Sequence, residues 1–202
     1  MKTKEHENPH TLTRCPWCGT DPLYVAYHDT EWGIPCYDDR KLFEFIILET
    51  FQAGLSWMTI LKKRENFRKA FADFDPVKVA CITDTQQAVL MNESGIIRNR
   101  LKIASAITNA RAFLHCQEEF GSFSTYFWQW VDNKPIVNNW RSLQEVPAKT
   151  ELSITIARDM KKRGFVFMGP TVVYAHMQAM GLVNDHLVQC FRHKACQSFE
   201  QY

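Results

Sequence analysis

Metal-binding residue types lie near both ends of the sequence. His186 and Cys190 are four residues apart, so on a helix their side chains would point the same way and could share one tetrahedral metal ion. That pair alone is weak evidence, because a packed histidine and a buried thiol are commoner. Cys15, Cys18 and His28 offer further donors, and a structural zinc site needs four nitrogen or sulfur ligands. Spacing leaves the ligand set open.

Cys15 and Cys18 form a CxxC pair, which occurs both in zinc knuckles and in redox-active sites. The sequence has no second CxxC, and a thioredoxin-like pair belongs in a βαβ context that this chain does not predict. Its seven cysteines are an odd number. In a chain expected to be intracellular, that count favours free thiols or metal ligands over a disulfide framework.

Glu49 is an acidic residue in an apolar helix pattern. It shares one predicted helix face with Leu42, Phe45 and Ile46, and a buried carboxylate is costly unless it is paired or hydrogen-bonded. Glu49 is therefore either a functional carboxylate or one that reaches solvent or a backbone amide. The residues alone do not decide between these interpretations.

A glycine-flanked segment, residues 163–169, lies between two predicted helices, and Pro170 opens the second. Backbone amides in such a turn can hold a phosphate, although a plain helix–helix turn fits the spacing equally well. Basic runs at residues 62–64 and 161–163 could supply DNA affinity. Solvated faces are the default interpretation of such runs.

The elements that must position these residues are predicted to be helices. Capping signals, glycines and apolar periodicity predict helices over residues 41–51, 55–71, 76–81, 83–95, 98–120, 122–131, 150–162 and 171–180. We expect residues 15–35 to be irregular and residues 133–148 to form a loop with a turn of helix. Because no segment indicates a strand pair, the predicted fold is all-α.

Composition bounds the class of protein. The 202 residues carry 24 Lys and Arg against 22 Asp and Glu, which is typical of a globular protein and too nearly neutral to indicate nucleic-acid binding by itself. The polar start lacks the apolar core of a secretory signal, so we expect a cytoplasmic protein. We expect a polar arm at residues 1–13, one domain or two intimate lobes at residues 14–191, and a tail at residues 192–202.

Five separated strings together carry a resemblance to a known family. They are Arg14-Cys15-Pro16-Trp17, Tyr27-His28-Asp29-Thr30-Glu31-Trp32-Gly33, Gln52-Ala53-Gly54-Leu55-Ser56-Trp57, Gly95-Ile96-Ile97-Arg98 and Gly181-Leu182-Val183-Asn184-Asp185-His186. In this order and spacing they resemble 3-methyladenine DNA glycosylase I, of the helix-hairpin-helix glycosylase superfamily. The resemblance extends from about Arg14 to Cys190 and implies a helix-hairpin-helix fold.

The resemblance implies one structural zinc ion that joins the N- and C-terminal segments. Its ligands carry over to Cys15, His28, His186 and Cys190, whereas Cys18 departs from the family pattern and is expected outside the ligand set. Four protein ligands leave no position for a reactive water, so we expect a structural ion.

The resemblance also implies a pocket for an extruded base and a DNA-binding surface. Glu49 would contact the base, between aromatic walls that carry over to Trp17, Tyr24, Tyr27 and Trp57. Electron-rich rings suit 3-methyladenine, which is cationic in DNA. The turn at Gly54 and Leu55 would enter the base stack. The hairpin that anchors the DNA would comprise Arg163, Gly164, Phe165, Val166, Phe167 and Gly169.

The expected activity is hydrolysis of the N-glycosidic bond of 3-methyladenine in double-stranded DNA, by a monomer without a nucleotide cofactor. Glu49 would act through recognition and its electric field, with water as the nucleophile. Other superfamily members have a catalytic Asp where this chain has Asn184, and Asp185 ranks below Glu49. The alternatives are a zinc-stabilised module that binds alkylated DNA without catalysis and a small-molecule enzyme such as a nucleoside hydrolase.

Overall fold

The computed structural model describes residues 12–197, and these are mostly helical. The helices are α1 (Pro22–Thr30), α2 (Asp39–Gln52), α3 (Trp57–Ala70), α4 (Pro76–Ala80), α5 (Asp84–Leu90), α6 (Arg100–Phe120), α7 (Phe123–Trp128), α8 (Glu151–Lys162), α9 (Pro170–Ala179) and α10 (Phe191–Ala195). Short 3₁₀ turns cover Pro16–Cys18, Ala72–Phe74, Gln129–Val131 and Leu143–Glu145. Two strands, β1 (Ile136–Val137) and β2 (Val183–Asn184), pair in parallel.

Local capping chemistry sets several helix boundaries. The Asp75 carboxylate accepts hydrogen bonds at the start of α4, where Pro76 is the first helical residue. Thr83 and Gln86 form the predicted capping box of α5. Gly121 ends α6 at φ +82°, in the left-handed region that glycine adopts without a steric penalty.

Three details of the predicted elements were wrong. Residues 15–35 are not irregular, because Asp21 caps α1 and Pro22 opens it. The helix that follows Thr83 ends at Leu90 instead of continuing to Gly95. The β1–β2 strand pair was missed, since two residues are too few to show an alternating pattern.

Helix α2 lies at the centre of the molecule, packed against α3, α6, α7 and α9. Every residue from Leu42 to Phe51 is buried, including both acidic ones, Glu44 and Glu49. A helix that is buried on all sides must be covered by neighbours around its full circumference. Glu49 is therefore held at a fixed position inside the protein.

Glu44, the first acidic residue of this buried stretch, is paired with arginine side chains. Glu44 accepts hydrogen bonds from Arg64 at 2.8 Å and from Arg68 at 2.9 Å. Arg64 also binds Glu31 through two hydrogen bonds of 2.8 Å, and Lys41 donates to Glu31 at 2.6 Å. We call these five residues the ionic cluster. It links α2 and α3 to the segment that follows α1.

The chain termini meet the core differently from the expected arm and tail. Residues 1–11 of the predicted polar arm lie outside the described residues. The described part of the predicted tail, residues 192–197, contains most of α10 and the buried Cys196. The backbone carbonyl of His193 in α10 accepts a hydrogen bond from Asn184 at 2.8 Å. Within residues 12–197, no helix combines the length and the hydropathy that a membrane crossing requires.

Candidate active site and metal centre

A cavity of about 240 Å³ opens between α1, α2, α3 and α9. All five residues that the resemblance assigned to base contact line it. Asp185, which ranked below Glu49 in the sequence analysis, also lines it, as do seven residues that were not identified as lining residues from the sequence: Trp32, Gln52, Leu143, Val146, Ala175, Gln178 and Ala179. They come from distant parts of the chain, so only the tertiary structure brings them together.

Aromatic rings form much of the cavity wall. The ring centroids of Trp17 and Tyr24 are 5.1 Å apart, and those of Tyr27 and Trp57 are 5.4 Å apart. Trp32 packs edge-on against Trp17 at 4.9 Å. Tyr24 and Tyr27 lie on α1, so a regular helix directs them to the cavity. Ring faces of this kind attract a cation and exclude water.

Glu49 is 3% exposed and lines the same cavity. Its Oε2 accepts a hydrogen bond from Nδ1 of His176, on α9, at 3.1 Å. Burial raises the pKa of Glu49, and the proximity and hydrogen bond of His176 act against that increase. His176 was not identified from the sequence. The available signal was its position inside the longest run without Asp, Glu, Lys or Arg.

Asp185 also lines the cavity, but its carboxylate is occupied by protein donors. It accepts hydrogen bonds from Asn138 at 2.6 Å, Trp140 at 2.8 Å, Tyr174 at 2.6 Å and Gln178 at 2.8 Å. These bonds join α9 to the loop that follows β1. An oxygen pair with four donors is suited to holding structure, whereas Glu49 has one protein partner.

Asn184, where the resemblance implies a catalytic Asp in other superfamily members, is buried and joins β2 to α10. Its side chain donates to the backbone carbonyl of His193 at 2.8 Å and accepts from the backbone amide of His186 at 3.3 Å. Both the nitrogen and the oxygen of the side-chain amide have hydrogen-bond partners. An ionised Asp could not donate to the His193 carbonyl, which explains an uncharged residue here.

Cys15, His28, His186 and Cys190 form a buried cluster, and their candidate ligand atoms all lie within 4.8 Å of one another. His186 and Cys190 do not share a helix, so helical spacing is not what brings them together. They lie in a turn, in which the amide of Cys190 donates to the carbonyl of Leu187 at 2.8 Å. The donors converge because this turn folds back on the N-terminal segment.

In each histidine, the ring nitrogen that faces away from the cluster has a hydrogen-bond partner, and the other ring nitrogen faces the cluster. Nδ1 of His28 contacts Asp29 at 2.7 Å, and Arg14 holds that carboxylate at 2.8 Å. Nε2 of His186 contacts the carbonyl of Trp32 at 3.0 Å. A Cβ at Gly33 would lie 2.9 Å from the His186 ring, so glycine permits this approach. Such outer contacts are characteristic of metal-binding histidines.

The two cluster cysteines interact directly. Their hydrogen bond lowers the pKa of the Cys190 thiol and raises the pKa of the Cys15 thiol. Cys18 is not part of the cluster. Its thiol donates instead to the carbonyl of Cys15 at 3.2 Å. The chemistry and proximity of the four clustered donors fit one tetrahedral zinc ion.

The Gly54–Leu55 turn projects from the C-terminal end of α2. Gly54 has φ +81°, and Leu55 is exposed. Lys102, from α6, donates to the carbonyl of Phe51 at 2.8 Å and to that of Ala53 at 2.6 Å. Lys102 thus caps α2 and supports the turn, a role that was missed in the sequence.

The hairpin between α8 and α9 is fixed by a side chain of α6. The Asn109 amide accepts from the Val166 amide at 2.8 Å and donates to the Val166 carbonyl at 3.0 Å. Gly164 and Phe167 adopt positive φ angles of 95° and 59°. Gly164, Val166, Phe167 and Gly169 are exposed along this hairpin.

Two residues of the expected DNA-anchoring hairpin have partners within the protein. The Arg163 guanidinium binds Glu119 at 2.6 Å and Asp159 at 2.7 Å, so its charge is already neutralised within the protein. It also lies 4.7 Å from the Phe120 ring centroid. Phe165 is 3% exposed and belongs to the core. The hairpin therefore offers its backbone and its exposed apolar side chains instead of these two side chains.

Comparison with known proteins gives one consistent result. The methyladenine glycosylase family model matches residues 17–193. DNA-3-methyladenine glycosylase of Haemophilus influenzae is 51% identical over 178 residues, which cover 88% of this chain and 96% of that protein. DNA-3-methyladenine glycosylase 1 of Escherichia coli is 50% identical over 179 residues, covering 89% and 96%.

A solved structure agrees with these relatives. The structure of 3-methyladenine DNA glycosylase I from Staphylococcus aureus, described as the structural basis of 3-methyladenine recognition, has a TM-score of 0.87 and 34% identity. The match covers 94% of this chain and 99% of that one.

Proposed function

The chain belongs to the methyladenine glycosylase family, and from that premise we propose that the cavity around Glu49 is where it binds and releases its base. The protein is a DNA repair glycosylase that hydrolyses the N-glycosidic bond of 3-methyladenine in alkylated DNA. The product DNA carries an abasic site. The observation that supports this placement is a buried carboxylate facing an aromatic cavity.

The cavity chemistry matches a cationic purine that has swung out of the duplex. Tyr27 and Trp57 offer ring faces to the positive charge, and Glu49 offers a carboxylate oxygen to the polar edge of the base. An uncharged adenine would gain less from both interactions. The cavity thus favours the alkylated base electrostatically as well as by shape.

Alkylation at N3 makes adenine a good leaving group, so strong protonation of the base is unnecessary. We assign to Glu49 the stabilisation of positive charge that develops on the sugar, while water attacks the anomeric carbon. The C–N bond breaks, its electron pair leaves with neutral 3-methyladenine, and the water loses a proton to solvent. Asp185 is excluded as the base in this proposal because protein donors occupy its oxygens.

We assign one structural zinc ion to Cys15, His28, His186 and Cys190. When bound, it would supply a covalent-like clip between segments that lie 171 residues apart in the sequence. Asp29 and the Trp32 carbonyl hold the two imidazoles in the orientation that such an ion needs. The same segments carry Trp17 and Trp32 to the cavity, so the clip also positions part of its wall.

Two exposed turns form the proposed surface for double-stranded DNA. Leu55 would fill the gap left by the extruded base, supported from below by Lys102. The hairpin around Phe167 and Gly169 would hold a phosphate through backbone amides, in the manner of a helix-hairpin-helix anchor. We propose that the enzyme acts as a monomer in the cytoplasm, where its substrate is accessible.

The deciding experiment is incubation of the purified protein with methylated duplex DNA, with released bases separated and identified by mass. We expect free 3-methyladenine and alkali-labile abasic sites. Unmethylated duplex and the free 3-methylated nucleoside serve as controls and should give no comparable release. Binding to methylated DNA without base release would overturn the catalytic assignment, and turnover of the nucleoside alone would indicate a small-molecule enzyme.

A further inference from the structure

His176 is a buried polar residue that touches the functional carboxylate and lies outside every motif of the family resemblance. We propose that His176 is a positioning residue, which holds Glu49 ionised and turns one of its oxygens toward the cavity. This inference rests on the proposed function of that cavity. It concerns a side chain that acts through Glu49 and does not itself line the cavity.

The contact is well defined. Nδ1 of His176 lies 3.1 Å from Oε2 of Glu49, and the two side chains are 0% and 4% exposed. An ionised carboxylate can only accept hydrogen bonds, so the hydrogen is on Nδ1. In these dry surroundings a hydrogen bond to a charge is stronger than one exposed to water. The bond therefore holds the carboxylate in one rotamer and stabilises its charge.

The two carboxylate oxygens of Glu49 have separate surroundings. Oε2 binds His176, whereas Oε1 has no hydrogen-bond partner among residues 12–197. Oε1 is also not among the fully buried unpartnered atoms of those residues, so it is accessible from the cavity that Glu49 lines. One oxygen is fixed to the protein, and the other is available to the base.

The second nitrogen of His176 has no part in this contact. Nε2 is buried without a partner in the described part of the chain. The bond from Nδ1 to Glu49 is therefore the one side-chain hydrogen bond of His176 among those residues.

No other charged group of the described residues replaces His176 at Glu49. From α1 the facing titratable residue is Tyr27, whose pKa is raised by burial and by Glu49, so it stays neutral. From α3 Trp57 lines the cavity and carries no charge, and the nearby Arg64 is bound to Glu31 and Glu44. On α7, Phe127 packs against the His176 ring at 4.8 Å.

The direction of the effect follows from these contacts. Burial raises the pKa of Glu49, and His176 opposes that shift. Loss of the donor would raise the pKa of Glu49 further, so a larger fraction of the enzyme would carry a neutral, inactive Glu49 at neutral pH. Activity should return when the pH is raised above the new value.

The test compares pH profiles of three variants. His176→Phe keeps an aromatic ring of similar size without a donor, and His176→Asn places an amide N–H near the position of Nδ1. Phe127→Leu is the matched control, because it disturbs packing on the same ring but keeps the donor. For each folded variant, single-turnover release of 3-methyladenine from methylated duplex DNA is measured between pH 5 and 9. Circular dichroism and melting temperatures verify folding.

We expect the acid limb of the His176→Phe profile to move upward by about one to two pH units. His176→Asn should recover at least half of that shift, and Phe127→Leu should leave the limb in place. An unchanged limb in His176→Phe, or equal shifts in all three variants, would overturn the role of His176. If His176→Phe does not fold, His176→Leu supplies the donor-free profile. Absence of release by the wild-type protein would instead contradict the proposed function.

Discussion

At the scale of single residues, Glu49 is a carboxylate that is costly to bury and to which we assign a specific role. Glu49 has exchanged water for one histidine donor and a set of rings, so its charged form is less stable here than in solvent. Groups with pKa values shifted in this way are concentrated at functional sites, where stability is sacrificed for activity. Glu49 should therefore raise the rate of catalysis and lower the stability of the fold.

Replacing Glu49 by Gln should lower the rate of 3-methyladenine release by about a hundred-fold or more, because the developing charge loses its stabilising field. The measurement is single-turnover excision at pH 7.5. Glu118→Gln, an exposed carboxylate on α6, is the control. Undiminished release by Glu49→Gln would contradict the proposed mechanism but leave the family membership intact.

The same substitution should stabilise the fold at alkaline pH. Because the folded-state pKa of Glu49 is raised, its contribution to stability is fully present below its unfolded value, near 4.5, and is lost as the pH rises through the folded value. Glu49→Gln should thus melt higher than the wild type at pH 8, with the difference closing at pH 4. A lower melting temperature at pH 8 would contradict this reasoning. Thermal unfolding followed by circular dichroism measures both.

At the scale of elements, α2 connects the core to the turn that we propose as part of the DNA surface. The last backbone carbonyls of a helix have no hydrogen-bond donor within the helix. Lys102 of α6 supplies a donor to the carbonyls of Phe51 and Ala53. The Gly54–Leu55 turn follows at once, so one lysine both ends the helix and fixes the direction of the proposed wedge. Burial lowers the pKa of Lys102, in keeping with its place beneath the turn.

Lys102→Met should leave those carbonyls without their donor and destabilise the protein by about 1–3 kcal/mol. DNA affinity should fall as well, because Leu55 is no longer held in position. Urea unfolding and binding to a duplex with an abasic-site analogue measure the two effects. Lys69→Met, at an exposed position of α3, should change neither quantity. Equal effects in both variants would show that only lost positive charge matters.

The ionic cluster joins α2 to α3 and should make stability depend on acid. Burial alone would raise the pKa of Glu31, but hydrogen bonds from Arg64 and Lys41 lower it to about 2. Glu31 therefore contributes stability above its unfolded pKa, near 4.5, and that contribution is lost as the pH falls through about 2.

Arg64→Met should cost about 3 kcal/mol at pH 7, because it leaves the buried Glu44 and part-buried Glu31 with fewer partners. The deficit relative to the wild type should shrink as the pH falls from 4.5 toward 2, since protonated carboxyls no longer need a cation. Urea unfolding at several pH values measures it. A deficit that does not change with pH would show that the loss comes from packing of the Arg64 side-chain stem. The same conclusion would follow if Arg64→Met caused an equal deficit in a variant that lacks both carboxylates.

At the scale of the whole molecule, the two ends of the described chain meet at the Cys/His cluster. The N-terminal segment supplies cavity rings as well as two of the clustered donors, and the C-terminal turn supplies the other two. Closing so long a loop removes conformational freedom from the unfolded chain. A filled metal site should therefore stabilise the entire fold and not merely the turn around it.

Metal content should identify the ligands. Cys15→Ala and Cys190→Ala should each lose bound zinc and melt several degrees lower, while Cys18→Ala should keep zinc because its thiol points to a backbone carbonyl. Elemental analysis of purified protein and melting with and without a chelator provide the measurements. Zinc retained in Cys15→Ala but lost in Cys18→Ala would refute the assigned ligand set.

Several helix boundaries and, through the family resemblance, the candidate site residues could be predicted from the sequence. Capping residues such as Asp75 and Thr83 fixed helix starts, because their side chains act on amides two or three residues away. The family resemblance also assigned roles to Glu49 and the four clustered donors, which the residues and their spacing had left open. Local rules failed at Asp21, where a cap-and-proline signal was masked by surrounding aromatics and turn residues.

Only the tertiary structure decided what surrounds each functional group. The pairing of Glu49 with His176 spans 127 residues, and no local pattern encodes a contact at that separation. Likewise, the hydrogen bond of 2.6 Å from Arg163 to Glu119 joins the ends of α8 and α6, which lie 44 residues apart in the sequence. Propensities act within a few residues, whereas burial and hydrogen-bond partners are set by packing of the whole chain. The sequence therefore identified the chemical groups, and the folded structure determined their partners and their orientation.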